Sequence, residues 1–173
     1  MFLKTWRFIT LTLVALYMGL EFSHTLELPP KIQYDGSLYV TIQNTLYAYF
    51  GMPGPGAFVT VGALLSAIVL VFLVRKRRPA FQWTLAGTIF LALAFPVVYF
   101  SFIESVNRVV EQATPQSLPP NWVALRNQWE YAHATNFGLT LISFSALLIS
   151  ILVDTPVKHS RELTSQRKLS HHS

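Results

Sequence analysis

The chain contains no cysteine. Disulfides, thiolate metal centres and cysteine nucleophiles are excluded with it. Charge is scarce too: 12% of residues are Asp, Glu, Lys or Arg, against about a quarter in soluble domains. No internal repeat is visible. The apolar opening, Met1 to Gly19, is followed by no clean small-x-small cleavage site, and Glu21 interrupts its exit. It reads as a retained helix rather than a signal peptide.

What fills the chain instead is apolar: 52% of its 173 residues are hydrophobic, and the mean hydropathy is +0.42. This composition points to an integral membrane protein of one domain. Four segments carry it. The first runs from Phe8 to about Leu28, where Pro29-Pro30 is expected to stop it. The second is Ala57 to Val74, the third Phe81 to Phe102 with Pro96 as a kink, and the fourth Asn121 to Val153. Between the first two, 31–50 interleaves Tyr34, Tyr39, Tyr47 and Tyr49 with apolar residues, the pattern of a short helix lying at the membrane interface. The expected fold is all-α: an integral membrane four-helix up-down bundle with a short interfacial helix between helices 1 and 2. Residues 1–154 form that transmembrane domain, and 155–173 read as a disordered cytoplasmic tail. His171 and His172 in the tail make a poor metal site without partners.

The formal net charge of +5 matters less than its placement. Most Lys and Arg residues fall in three clusters beside apolar segments: Lys4 and Arg7, Arg75 to Arg78, and Lys158 to Lys168. That is the positive-inside pattern and not a nucleic-acid surface. It places both termini in the cytoplasm and the connections 27–56 and 104–121 outside.

The polar residues then gather in one leaflet. The first helix ends with Glu21, His24 and Glu27; the third leads to Glu104 and Asn107; the fourth opens with Trp122, Arg126, Trp129, Glu130, His133 and Asn136 on one helical face. Ionisable groups at a membrane helix end mark a functional site by default. His24, Glu104 and His133 are expected to point into one cavity, with Asn107 and Arg126 at its border. His133, helped by Glu130 and His24, suits a general base. Arg126 suits an oxyanion stabiliser. Trp122 and Trp129 suit walls for an aromatic ligand, with Asn107, Asn136, Glu104 and Glu21 as further binding groups. The plainer alternative is an interfacial belt, with Arg126 paired to Glu130 at i,i+4. Glu21-Phe-Ser-His24 and Glu130-Tyr-Ala-His133 also match the Glu-x-x-His pairs of di-metal bundles, with Glu104 as a third carboxylate. The second helix offers no fourth, so a mononuclear transition metal is the economical version.

The chain resembles the bacterial four-helix membrane proteins of the DUF1772 family, which includes the anthrone oxygenases. The resemblance covers roughly residues 8 to 153. Its carriers are Phe22-Ser23, Asn107, and the Leu125, Trp129, His133 pattern that opens the fourth helix. Asn136 stands where the family tends to have Arg, and of the Asn-x-Pro-x-Asn it often has before the outer loop only Asn107 matches, with Ile103 and Ser105 at the other two places. The resemblance implies a multi-pass protein of a bacterial plasma membrane that oxygenates a polyketide anthrone to a quinone and requires no cofactor. Three readings follow: an anthrone-oxygenase-like oxidoreductase acting on a hydrophobic aromatic or quinone-like molecule; a non-enzymatic quinone- or lipid-binding accessory subunit; and a structural polar network. The expected partners are membrane lipid and a hydrophobic small molecule.

Overall fold

A computed structural model describes residues 1–51 and 53–155. The tail expected over 155–173 lies outside the described residues from 156 onward. The protein is an all-α bundle of four long helices, each long and apolar enough to cross a membrane. They are α1 (Phe2–Lys31), α3 (Pro55–Val74), α4 (Ala80–Val110) and α5 (Trp122–Asp154). Between α1 and α3 lies α2, which begins at Gly36–Ile42, continues through a π-helical turn Gln43–Tyr47 and ends at Ala48–Phe50.

Local chemistry explains most of the boundaries. Asp35 caps α2 by accepting the Leu38 N–H at 2.8 Å. Pro55 opens α3, where its missing N–H is not needed. In α4 the residue before Pro96, Phe95, is forced out of the helical region to φ −138, ψ 119. A π-helical segment, Leu93–Ile103, surrounds this kink.

Two expected boundaries shift. Pro29-Pro30 does not stop α1, which runs on to Lys31. Proline's fixed φ suits a helix, so the two prolines remove hydrogen bonds without breaking the turn. That turn closes through the Ile32 N–H to the Leu28 carbonyl at 3.1 Å. The third span also continues past Phe102, so Glu104 and Asn107 are helical residues and not part of a loop.

Around the bundle, α1 packs on α3 and α5, and α4 packs on the same two. Small residues set the close approaches, as is usual where lipid leaves no hydrophobic drive between helices. A Cβ at Gly87 of α4 would lie 3.0 Å from the Ser143 carbonyl oxygen and 3.1 Å from Leu147 Cγ of α5. One turn away, the hydroxyls of Thr84 and Ser150 lie 2.7 Å apart. The indole of Trp6 donates to the Ser66 carbonyl of α3 at 2.9 Å. Outward-facing positions such as Phe58, Phe72 and Leu152 are exposed and apolar. This is the surface of a multi-pass integral membrane protein in contact with lipid.

Asp154 ends α5 between Arg7 of α1 at 2.8 Å and Arg77 of the α3–α4 turn at 3.2 Å. Lys4, Arg7 and the run Arg75 to Arg78 thus gather at one end of an up-down bundle, while Lys31, Arg108 and Arg126 lie toward the other. The opposite end is covered by α2. Its Val40 packs with Val106, Val110, Ala113 and Trp129, so α2 is a cap on the bundle as well as an interfacial element.

Candidate functional site

At the end covered by α2, a cavity of about 130 Å³ lies among all five helices. Glu21 and His24 reach it from α1, Gln43 and Tyr47 from α2, Thr60 from α3, Tyr99, Glu104 and Asn107 from α4, and Trp129 and His133 from α5. Both π-helical segments of the described chain contribute to its wall: Gln43, Asn44 and Tyr47 from one, Phe95, Tyr99 and Ile103 from the other. Such segments recur at functional sites because they displace side chains from the ordinary helical register.

The central contact joins α1 to α5. His133 Nδ1 and Glu21 Oε2 share a hydrogen bond of 2.7 Å, with both residues buried. The other ring nitrogen, Nε2, is buried and has no hydrogen-bond partner. Asn136, one turn on, is fully buried, with its amide 3.5 Å from the Tyr17 hydroxyl. Aromatic rings pack around the pair. The His24 ring lies 4.2 Å from that of His133 and 4.9 Å from that of Trp129, centroid to centroid. The Trp129 ring packs at a tilt against that of His133, 4.1 Å between centroids, and donates its indole N–H to Asn107 Oδ1 at 2.9 Å.

A second cluster sits beside the first. Lys31, 3% exposed, places Nζ 2.8 Å from Glu27 Oε2 and 3.6 Å from Oε1 of the fully buried Glu130. Its ammonium lies over the rings of Tyr47 and Trp129, 4.1 and 4.9 Å from their centroids. The Tyr47 hydroxyl donates a short hydrogen bond to the same Glu27 carboxylate. Burial, reinforced by that carboxylate, pushes the Tyr47 pKa above its ordinary value. The Tyr39 hydroxyl is raised likewise, first by burial and then by Glu130.

The sequence pattern thus places Glu21, His24, Glu104, Asn107, Trp129 and His133 around one cavity, and the remaining candidates elsewhere. Arg126 is not on the cavity wall. It donates to the Tyr34 carbonyl at 3.1 Å and lies against the Trp122 ring, so it fastens the α1–α2 connection and is not placed to meet an oxyanion. Trp122 is likewise off the wall and packs near Gly36. Glu130 faces Lys31 and makes no pair with Arg126, because the continued α1 delivers a closer cation. Asn136 is off the wall too, buried beside the Tyr17 hydroxyl. The metal arrangement does not assemble: Glu130 is turned to Lys31, Glu104 to Arg108 at 3.0 Å, and Glu21 to His133. Among the described residues no three His, Asp or Glu groups converge as around an ion.

No known family model, curated protein or solved structure matches the chain.

The residues that pattern reading passed over are Lys31, Tyr47, Tyr17 and Tyr99. Lys31 carried a usable signal. Glu27 and Lys31 stand at i,i+4, and Lys31 lies on the His24 side of α1 once the helix is carried through the prolines. The tyrosines carried none beyond their frequency near membrane edges.

Proposed function

We propose that this protein is a membrane oxidoreductase acting on a hydrophobic aromatic molecule, in the manner of the anthrone oxygenases of the DUF1772 family it resembles. The observation that carries the reading is the buried Glu21–His133 pair in the cavity wall, with Nε2 unpartnered. With Glu21 ionised, the shared proton resides on Nδ1 and Nε2 holds a free lone pair. A carboxylate behind a histidine orients the ring and stabilises the imidazolium formed when Nε2 takes a proton.

His133 Nε2 removes a proton from an acidic methylene carbon of the ligand. The carbanion passes its electrons to dioxygen and a C–O bond forms. A second C–H bond of that carbon breaks as the O–O bond cleaves, its electron pair forming the carbonyl; its proton and the one held by His133 both pass to the departing oxygen. A CH2 group and O2 become a carbonyl and water. Trp129 and Tyr47 supply aromatic faces for the ligand, and His24 covers the His133 ring.

A second reading, a non-enzymatic quinone- or lipid-binding subunit, is favoured by one observation. The cavity of about 130 Å³ is small beside the roughly 300–1,000 Å³ usual for drug-sized ligands. Oxygen uptake by the purified protein with an anthrone separates the two. The oxidoreductase reading expects uptake above the protein-free rate, falling about 100-fold or more in His133→Ala, the ordinary range for loss of a general base. Uptake equal to the buffer rate, or unchanged in His133→Ala, overturns it; quinone binding without uptake establishes the second reading.

The same proposal sets the orientation: a bacterial plasma membrane, both termini cytoplasmic and the cavity in the outer half. Its basis is the basic end formed by Arg7 and Arg75 to Arg78. Reporters fused after Ser173 and within 75–79 should read cytoplasmic, and one within 114–120 external. An external C-terminus refutes the orientation.

A further inference from the structure

The Glu21–His133 pair is covered at the end of the bundle by α2. Asn44 donates from Nδ2 to the carbonyls of Val110 and Ala113, 3.0 Å each, which ties α2 to the end of α4. Tyr47 ties it to Glu27 of α1, and Arg126 ties the connection before it to α5. Tyr39, Val40 and Gln43 are buried under these contacts. The last turn, Ala48–Phe50, is different: none of its residues is buried, although Ala48 and Phe50 both stand on the cavity wall. Leu20 of α1 is on that wall too, 37% exposed against 43% for Phe50. Gly56, in the first turn of α3, lies between them. A Cβ there would come 2.5 Å from the Phe50 carbonyl oxygen and 3.9 Å from Leu20 Cδ1. Three chain elements thus meet in an apolar rim around a residue with no side chain.

The rim has a definite level. At about 1.5 Å per residue, Leu20 stands roughly 27 Å from Phe2 along α1, and Gly56 roughly 27 Å from Val74 along α3. That is the edge of a hydrocarbon core about 30 Å thick, counted from the basic end. Glu21, whose carboxylate holds His133, is the next residue of the chain after Leu20. Further toward the basic end the wall closes, with Tyr17, Thr60 and Phe95 buried. The exposed apolar part of the wall is therefore at the level of the pair itself, beside the acyl chains next to the headgroups. We propose that the cavity takes its ligand sideways from the bilayer, through a mouth formed by Leu20, Phe50 and Gly56, and that the ligand is an uncharged ring compound dissolved in lipid. A charged or strongly hydrated molecule would lose its water at this rim without gaining a partner there, whereas one already in lipid has lost it. The competing route, from water, runs past Glu111, the exposed acidic residue of the wall at the end of α4. The inference rests on the reading of the cavity as a site for a hydrophobic aromatic molecule, but not on its turnover.

The chain has no cysteine, so a single introduced thiol can be capped and uncapped selectively. The test uses full-length Leu20→Cys, Phe50→Cys, Glu111→Cys and Leu152→Cys in lipid nanodiscs, each before and after capping with benzyl methanethiosulfonate and again after a reductant has removed the cap. Leu152 is exposed at the basic end and controls for the cap itself. The probe is tetramethylbenzoquinone, whose ring has no free position for a thiol. Its association and dissociation are followed by quenching of tryptophan fluorescence, since Trp129 stands on the wall. Caps at positions 20 and 50 should slow both rates about tenfold, within the range by which variants of one site differ in association. They should leave Kd unchanged, and uncapping should restore the rates. Caps at 111 and 152 should leave the rates as they were. A merely damaged site would change Kd instead. Slowing by the cap at 111 and not by those at 20 and 50 establishes the route from water and overturns the proposal. So do rates that no cap alters, rates that every cap slows alike, and caps at 20 and 50 that shift Kd without slowing entry. A parent protein with no saturable quenching refutes the ligand site, and this inference with it; saturable quenching that is indifferent to the caps refutes the mouth alone.

Discussion

Replacing Lys31 by methionine tests how the covered end of the bundle is held. The ammonium sits 2.8 Å from Glu27 and 3.6 Å from Glu130. The two partners are not equivalent. The Glu27 side chain is 41% exposed, and a pair of that kind contributes no more than about 1 kcal/mol. Glu130 is fully buried, and its Oε2 has no hydrogen-bond partner. Lys31→Met therefore strands a carboxylate in the protein interior, a change that destabilises by about 3–5 kcal/mol. The methionine stem replaces the lysine's packing on Tyr47 and Trp129 but not the attraction of the ammonium for their faces, about 0.5–2 kcal/mol. The loss should then be largely recovered in Lys31→Met/Glu130→Leu, which removes both charges, whereas independent sites would add. The assay is reversible unfolding in mixed micelles by added SDS, followed by tryptophan fluorescence. The reasoning fails if Lys31→Met lies within about 1 kcal/mol of the parent protein, or if the double variant is as unstable as the two single ones combined.

Two further outcomes follow from other parts of the structure. The Tyr47 pKa is raised on folding, so its contribution is fully present below the unfolded value near 10 and is lost as pH rises beyond it; Tyr47→Phe should flatten the alkaline decline in stability, and an unaltered slope between about pH 10 and 11 refutes the assignment. Gly87→Leu forces a branched side chain where even a Cβ meets the Ser143 carbonyl at 3.0 Å, and should destabilise by about 1–3 kcal/mol through overpacking; a variant as stable as the parent in the SDS assay would show that α4 and α5 do not need this close approach.

The spans were legible in the sequence because lipid imposes a crude rule on length and polarity, which Ala57 to Val74 and Asn121 to Val153 satisfy almost residue for residue. The grouping of Glu21, His24 and His133 was legible for a related reason: helical spacing and the alternation of up and down fix both face and level. What failed was direction at short range. Arg126 and Glu130 are suitably spaced for a pair, yet each finds a partner on another element, the Tyr34 carbonyl and Lys31. Intrahelical spacing states only which contacts can form, and a buried group takes the best partner that tertiary packing offers. The same holds for the prolines. Pro29-Pro30 is a breaker by local rule, but the rule concerns lost hydrogen bonds, and Lys31, locked between two carboxylates, holds the last turn in place. The π-helical segments left no pattern to find, since their register depends on what packs against them.

The hydrogen bond between Glu21 and His133 spans 112 positions of the chain, and that distance has a meaning in time. A ribosome working at roughly 5–20 residues per second needs on the order of ten seconds to make the intervening segment. Throughout that interval α1 has been synthesised with the Glu21 carboxylate following a long apolar run, and the imidazole that will meet it does not yet exist. The first helix is thus an unfinished half of a joint until the last is delivered. Its residence in the bilayer during that wait depends on the insertion machinery and surrounding headgroups, not on the bundle it will eventually join.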